Sequence, residues 1–190
     1  MTGGGAEPSA SEREQVVLVD SDDTELGTVG KLAAHRPPGQ LHRAFSVFLF
    51  DDRGDLLLQR RASGKHHFAD RWSNACCSHP SPGEGVLDAA VRRCREELGV
   101  AVADAVAVGS FLYRAQDPVS GLVEHELDHV VSARVAGPVE LNPAEASACR
   151  WIAPAELRAW LATGRAPVTP WLPLAFDVVE RAGRPTRGAV

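Results

Sequence analysis

Read for alternation and period, the chain divides into apolar runs separated by strong turn signals. Residues 1–10, MTGGGAEPSA, are small and polar and carry no apolar period, which reads as a flexible tail. Gln15-Val16-Val17-Leu18-Val19-Asp20 is strand-like and closes in an acidic turn, Ser21-Asp22-Asp23. Residues 24–34 lead into His35, Pro37, Pro38 and Gly39, where no helix can continue. The aromatic run Ala44–Phe50 and the run Leu56–Arg60 flank the turn-forming stretch Asp51–Asp55, which predicts a hairpin. Trp72–Pro80 reads as a loop, and a Pro/Gly turn then feeds a helix from Glu84 or Gly85 to Leu98. Leu87, Val91, Cys94 and Leu98 form its expected inward stripe, and Gly99 its C-terminal cap. Ala105–Leu112 and Leu127–Val135 read as strands around the turn Asp117–Gly121. Helices are expected over Pro154–Leu161 and Leu172–Arg181, and residues 183–190 read as a second flexible tail. The alternation of strands and helices gives an α/β class. With no repeat and no linker, residues 1–190 read as a single domain.

Composition narrows the partners. At 190 residues with 44% hydrophobic content, the chain can bury a core without covalent staples. A net charge of −5 argues against nucleic acid or an anionic membrane as partner, since both call for a clustered basic excess. No signal-like N-terminus and no bilayer-length apolar run are seen. Cys76 and Cys77 are adjacent, which is poor bridging geometry, so with Cys94 and Cys149 they read as reduced thiols of a cytoplasmic protein.

Candidate chemistry concentrates between Trp72 and Val100. Residues 59–67, QRRASGKHH, form one compact basic patch with Arg60, Arg61 and Lys65, either a solvated loop or a phosphate contact. Arg93 and Glu97 lie four apart on the helix, and on their own read as a surface ion pair. Cys94 falls in the apolar stripe and reads as core. Glu124 and Glu126, two apart on a strand, project to one face, with His125 on the other. Two carboxylates aimed at one spot call for a cation or a shared proton unless water separates them. Singly, His35, His42 and His79 each read as ordinary core or surface histidines. As a set with Glu124 and Glu126 they suit Mg²⁺, Mn²⁺ or Zn²⁺.

Ser78-x5-Glu84-x7-Arg92-Arg93-Cys94-Arg95-Glu96-Glu97-Leu98-Gly99-Val100 resembles the Nudix box, G-x5-E-x7-R-E-U-x-E-E-x-G-U with U aliphatic. Ser78 stands where the box has Gly, and Arg93 where it has the first Glu of a metal-carrying pair. Trp72-Ser73-Asn74-Ala75-Cys76-Cys77-Ser78-His79-Pro80, Tyr113-Arg114-Ala115, Glu124-His125-Glu126 and Thr169-Pro170-Trp171 extend the match. So do Ala34-His35, Leu41-His42-Arg43-Ala44-Phe45-Ser46 and Arg60-Arg61-Ala62. Together they resemble the type I isopentenyl-diphosphate isomerases, from about Val16 to Trp171.

The resemblance implies a Nudix fold, a mixed β-sheet flanked by helices with the box as loop–helix–loop over about 78–100. It implies an enzyme of isoprenoid biosynthesis that interconverts isopentenyl and dimethylallyl diphosphate through a tertiary carbocation. By position, Cys77 and Glu126 would face each other across the substrate as acid and base, exchanging roles with direction. Tyr113 would relay or orient the proton near Glu126, and Trp171 would place its indole face against the cation. Lys31, Arg61, Lys65 and Arg93 would bind the diphosphate. Glu97 would help hold its Mg²⁺, while His35, His42, His79, Glu124 and Glu126 would hold a divalent Mn²⁺, Mg²⁺ or Zn²⁺. The expected partner is a small allylic or homoallylic diphosphate, with the protein a monomer or weak homodimer. The alternatives are a Nudix pyrophosphohydrolase and a non-enzymatic metal-stabilised or thiol-reactive binding protein.

Overall fold

The computed structural model describes residues 14–183. The tail read over residues 1–10 lies outside them, as does all but Gly183 of the tail read over 183–190. The strands are β1 (Gln15–Val19), β2 (Glu25–Gly30), β3 (His42–Phe50), β4 (Leu56–Arg61), β5 (Trp72–Asn74), β6 (Cys76–Ser78), β7 (Ala101–Gln116), β8 (Val123–Ala136) and β9 (Ala146–Ile152). The helices are α1 (Lys31–His35), α2 (Val86–Leu98), α3 (Pro154–Thr163) and α4 (Trp171–Ala182).

β3 is the centre of a nine-stranded sheet. Its residues are buried from Ala44 to Phe50 because both of its edges and both of its faces are covered. One edge pairs in parallel with β8 along its whole length, from His42↔Glu126 to Phe50↔Arg134. The other edge is shared in succession by β1 at Leu18↔His42, β6 at Ser46↔Cys77 and β4 at Phe50↔Leu56. The expected β3–β4 hairpin therefore pairs at a single position. β6 already occupies the edge from Phe45 to Val47, and β4 turns away to pair with β9 from Leu56 to Arg61. The long β7–β8 hairpin runs past the predicted strand ends, to Gln116 and Val123.

Side chains alternate across the sheet, so its two faces bury different partners. Phe45, Val47 and Leu49 pack with Val131, Ala133, Cys76 and the inner side of α2. Phe48, Phe50 and Val130 pack on the other face against α3 and α4, through Leu157, Trp160, Leu172, Phe176 and Val179.

The predicted inward stripe of α2 is displaced. Leu87 and Val91 are 39% and 37% exposed, while Ala89, Ala90, Cys94, Glu97 and Leu98 are buried. The small Ala89 and Ala90 let the helix approach β6 and β3, and that rotation carries Glu97 inward. Gly99 caps the helix with φ 64°. No helix among the described residues is long and apolar enough to cross a membrane.

Candidate active site

The row Tyr113, Glu126, His42 crosses β7, β8 and β3 as direct cross-strand partners, which places their side chains on one face. The same face carries Glu124, Asp128 and Ser46, with Cys77 opposite Ser46 on β6. Here the sheet is not covered by the α3/α4 core, and a cavity opens. It encloses about 810 Å³ of empty space, counting solvent at its mouth.

At one wall, His35, His42, His79, Glu124 and Glu126 are all buried, with one ligand atom of each lying within 4.8 Å of every other. α1 delivers His35 and β3 delivers His42, and their Nδ1 atoms contact the carbonyls of Lys31 at 2.7 Å and Gln40 at 2.8 Å. A carbonyl accepts only, so each Nδ1 carries a hydrogen and Nε2 is the ligating atom of the neutral ring. His35 Nε2 faces Glu124 Oε2 at 2.9 Å, and although burial lowers the His35 imidazole, the Glu124 carboxylate prevails and raises it. That contact is one a proton or a divalent cation can bridge, and five buried N and O ligand atoms so close together fit a divalent metal. His79 Nε2 lies 3.0 Å from Glu126 Oε1 and 3.1 Å from His42 Nε2. Burial drives the His79 imidazole down to about 3, outweighing the Glu126 bond that would raise it. It is therefore neutral, the form in which imidazole ligates metals. Burial opposes ionising Glu124, but the imidazoles of His67 and His35 prevail and hold its carboxyl well below the usual range.

Opposite, Cys77 sits in a fixed polar cradle. Asn74 donates both amide hydrogens, to Val47 O at 3.1 Å and Cys76 O at 2.9 Å, so its Oδ1 is left to accept from Cys77 Sγ at 2.9 Å. The Trp171 indole N–H donates to the same sulfur at 2.9 Å and to Ser73 Oγ at 3.1 Å. Burial pushes the Cys77 thiol up to about 12. The Asp128 charge adds to that, against Ser46, Ser73 and Arg61. Ser46 donates to Asp128 Oδ2 at 2.7 Å and lies 3.5 Å from Cys77 Sγ. Burial, then the neighbouring Glu126, raises the Asp128 carboxyl well above its ordinary range. The Tyr113 hydroxyl donates to Glu126 Oε2 at 2.5 Å, and burial followed by the Glu126 charge raises the phenol, so it stays protonated.

The cationic residues line the same cavity: Lys31, Arg61, Lys65 and Arg93. Arg61 also braces the segment before β5 through the carbonyls of Phe68 and His67, each at 3.1 Å, and lies 5.4 Å over the Trp171 ring. Arg93 pairs at the surface with Glu96 at 2.8 Å, but its pair with Glu97 is not a surface one. Its Nη2 donates to Glu97 Oε1 at 2.6 Å, and Glu97 is 1% exposed and also accepts from Gln59 at 3.3 Å. Glu97 stands apart from the His/Glu group and from the cavity lining, and Arg93 connects it to the cavity. Glu145, on the segment before β9, ion-pairs with Lys65 and with Arg93 at 3.3 Å.

The predicted residues thus line one cavity, except Glu97 and the fully buried His42, which joins the His/Glu group from behind its wall. The sequence reading missed Asn74, Ser46, Asp128, His67 and Glu145. Asp128 had a signal, since it continues the two-residue period of Glu124 and Glu126. Glu145 had none, because a lone acid in a loop has no period.

This sheet, with a box helix joined to it, defines a Nudix protein. The NUDIX domain model matches residues 40–172, and the chain belongs to that family. A solved structure from Deinococcus radiodurans superposes with a TM-score of 0.69 at 23% identity, covering 87% of this chain and 99% of that one. A MutT NUDIX hydrolase from Burkholderia pseudomallei gives 0.58 at 24% identity, covering 74% and 98%. At that identity the likeness is one of fold.

Within the Nudix family the chain belongs to the isopentenyl-diphosphate Delta-isomerases. It is 48% identical over 173 residues to the Isopentenyl-diphosphate Delta-isomerase of Nocardia farcinica, covering 91% of this chain and 98% of that protein. It is 46% identical over 171 residues to that of Streptomyces avermitilis, covering 90% and 86%.

Proposed function

We propose that this enzyme interconverts isopentenyl diphosphate and dimethylallyl diphosphate, with Cys77 and Glu126 as its proton-transfer pair. The observation that carries this reading is that a protonated thiol and a phenol-bonded carboxylate line one cavity with four cationic side chains. In the forward direction a proton goes to the terminal carbon of the alkene and the positive charge develops on the tertiary carbon. A proton then leaves the carbon next to the diphosphate-bearing one, and the double bond forms there. Cys77 carries its proton at neutral pH, and Asn74 and Trp171 fix its sulfur. Glu126 accepts from Tyr113 through one oxygen and contacts His79 through the other. In the reverse direction the two exchange roles.

A divalent cation held by His35, His42, His79, Glu124 and Glu126, of Mn²⁺, Mg²⁺ or Zn²⁺ type, would supply positive charge that offsets the crowded carboxylates and sets the proton affinity of Glu126. Lys31, Arg61, Lys65 and Arg93 bind the diphosphate, and Glu97, whose oxygens are bonded to Arg93 and Gln59, would assist the accompanying Mg²⁺ once Arg93 turns to the diphosphate. The indole of Trp171 lies beside Cys77 and stabilises the cation, an attraction of about 2 kcal/mol where water is excluded. We place the enzyme in the cytoplasm as a monomer or weak homodimer. Where the hydrolase box carries a metal-binding Glu, this chain places the Arg93 guanidinium on Glu97, which favours isomerisation over hydrolysis.

The test is Cys77→Ala incubated with Mg²⁺ and isopentenyl diphosphate. Turnover to dimethylallyl diphosphate should fall about 10²–10⁴-fold. Undiminished turnover would remove Cys77 from the reaction, and release of inorganic phosphate by the wild type would favour the hydrolase.

A further inference from the structure

We propose that His67 is a positioning residue of the His/Glu group: its Nε2–H holds one oxygen of Glu124 and thereby fixes the other toward His35 for the divalent cation. The inference rests on the metal reading above and adds a residue that acts on the metal without ligating it.

The two oxygens of Glu124 have different surroundings. Oε2 faces His35 Nε2 at 2.9 Å, and Oε1 lies 2.5 Å from His67 Nε2. An ionised carboxylate oxygen can only accept, so the hydrogen sits on His67 Nε2. That leaves His67 Nδ1 buried with no hydrogen-bond partner. His67 is absent from the five residues whose ligand atoms converge within 4.8 Å. It reaches the group through Glu124, and through the His35 ring on which it stacks at 5.1 Å and 24°.

The ring is held in place. Phe68 meets it edge-on at 6.1 Å, and Arg61 ties down its backbone carbonyl at 3.1 Å. A donor so fixed removes the rotation by which a free carboxylate would offer either oxygen, and the lost entropy no longer has to be met when the metal binds. Outer partners of this kind change metal affinity by about 10–100-fold. Lys65, two residues earlier, pairs with Glu145. One short segment between β4 and β5 thus reaches both the metal group and the cationic side of the cavity.

Two variants separate the donor from the packing. His67→Phe keeps a ring on His35 but removes the N–H, whereas His67→Gln keeps a donor of similar reach and removes the ring. Mn²⁺ alone is titrated into each folded protein against a chromophoric chelator, with Glu124→Gln as reference. His67→Phe should weaken Mn²⁺ binding about 10–100-fold, and His67→Gln should stay within about threefold of wild type. Wild-type affinity in His67→Phe, or the reverse order of the two variants, would overturn the proposal while a weakened Glu124→Gln left the metal site standing. Wild-type affinity in Glu124→Gln would instead remove the metal reading itself.

Discussion

The Tyr113 hydroxyl contributes one strong contact, to Glu126 Oε2 at 2.5 Å, while its ring packs beside Phe111 and Trp171. Tyr113→Phe deletes that contact and keeps the ring. A buried hydrogen bond to a charged group contributes about 1.5–3 kcal/mol, so kcat should fall about 10–100-fold with KM nearly unchanged. Steady-state kinetics on isopentenyl diphosphate checks this, and a change confined to KM would show that the hydroxyl binds substrate instead. Adjacent residues can have opposite fates at this scale. Cys76 is packed in the α2 core and Cys77 faces the cavity, as a two-residue period requires. The sequence could therefore say that the two thiols differ, and the family motif supplied which was which. The cradle around Cys77 was out of reach, because Thr169 and Trp171 meet Ser73, and Asn74 meets Val47, only by tertiary contact.

At the scale of elements, the turn into α2 depends on one ion pair. Glu84 accepts from Arg92 at 2.7 and 2.8 Å and from the Ser81 backbone N–H at 2.8 Å. The Arg92 guanidinium lowers the Glu84 carboxyl to about 2, with burial opposing and the Ser81 N–H assisting. A carboxyl lowered by folding stabilises the fold above its unfolded value of 4.5, and that stabilisation disappears as pH falls toward about 2. Glu84→Gln should thus cost about 1 kcal/mol at pH 7, the upper range for a solvent-screened pair. Its difference from wild type in urea unfolding should shrink between pH 5 and 2. A pH-independent difference would assign the loss to the turn geometry alone. The existence of α2 and its Gly99 cap were legible from period and cap chemistry, but its rotation was not. Leu87 and Val91 looked like core by residue type, yet Ala89 and Ala90 hold the close contact because the sheet leaves little room. β5, β6 and β9 were unread for a related reason. Three residues are too few for a period, and β9 is exposed at three of its seven positions and half-buried at two, in no regular alternation.

For the molecule as a whole, the crowded carboxylates and imidazoles of the cavity are a liability that a bound metal would relieve. Adding Mn²⁺ at about 100 times its Kd should stabilise the fold by about 2.7 kcal/mol. A chelator should lower Tm by a few degrees, followed by differential scanning calorimetry. A Tm indifferent to both metal and chelator would mean that the site does not bind in the folded state. The α/β class was legible because strands and helices alternate along the chain, whereas the mixed sheet flanked by helices was implied by the family resemblance. The order of strands was not, since β3 takes partners from both ends of the sequence and no local pattern encodes which edge is free.

That order has a consequence for how the protein comes into being. The cavity wall joins β3 to β8, and Ser46 and Asp128, which meet across it, lie 82 residues apart. Closing so long a stretch is entropically slow compared with forming a hairpin or a helix. A nascent chain that has emerged only as far as Gly121 has His35, His42 and His79 but neither carboxylate. During synthesis it holds three imidazoles with no anion to balance a captured ion. Tight metal capture would therefore wait until the β7–β8 hairpin has been made and docked, so occupancy would mark a chain whose β3–β8 wall is closed.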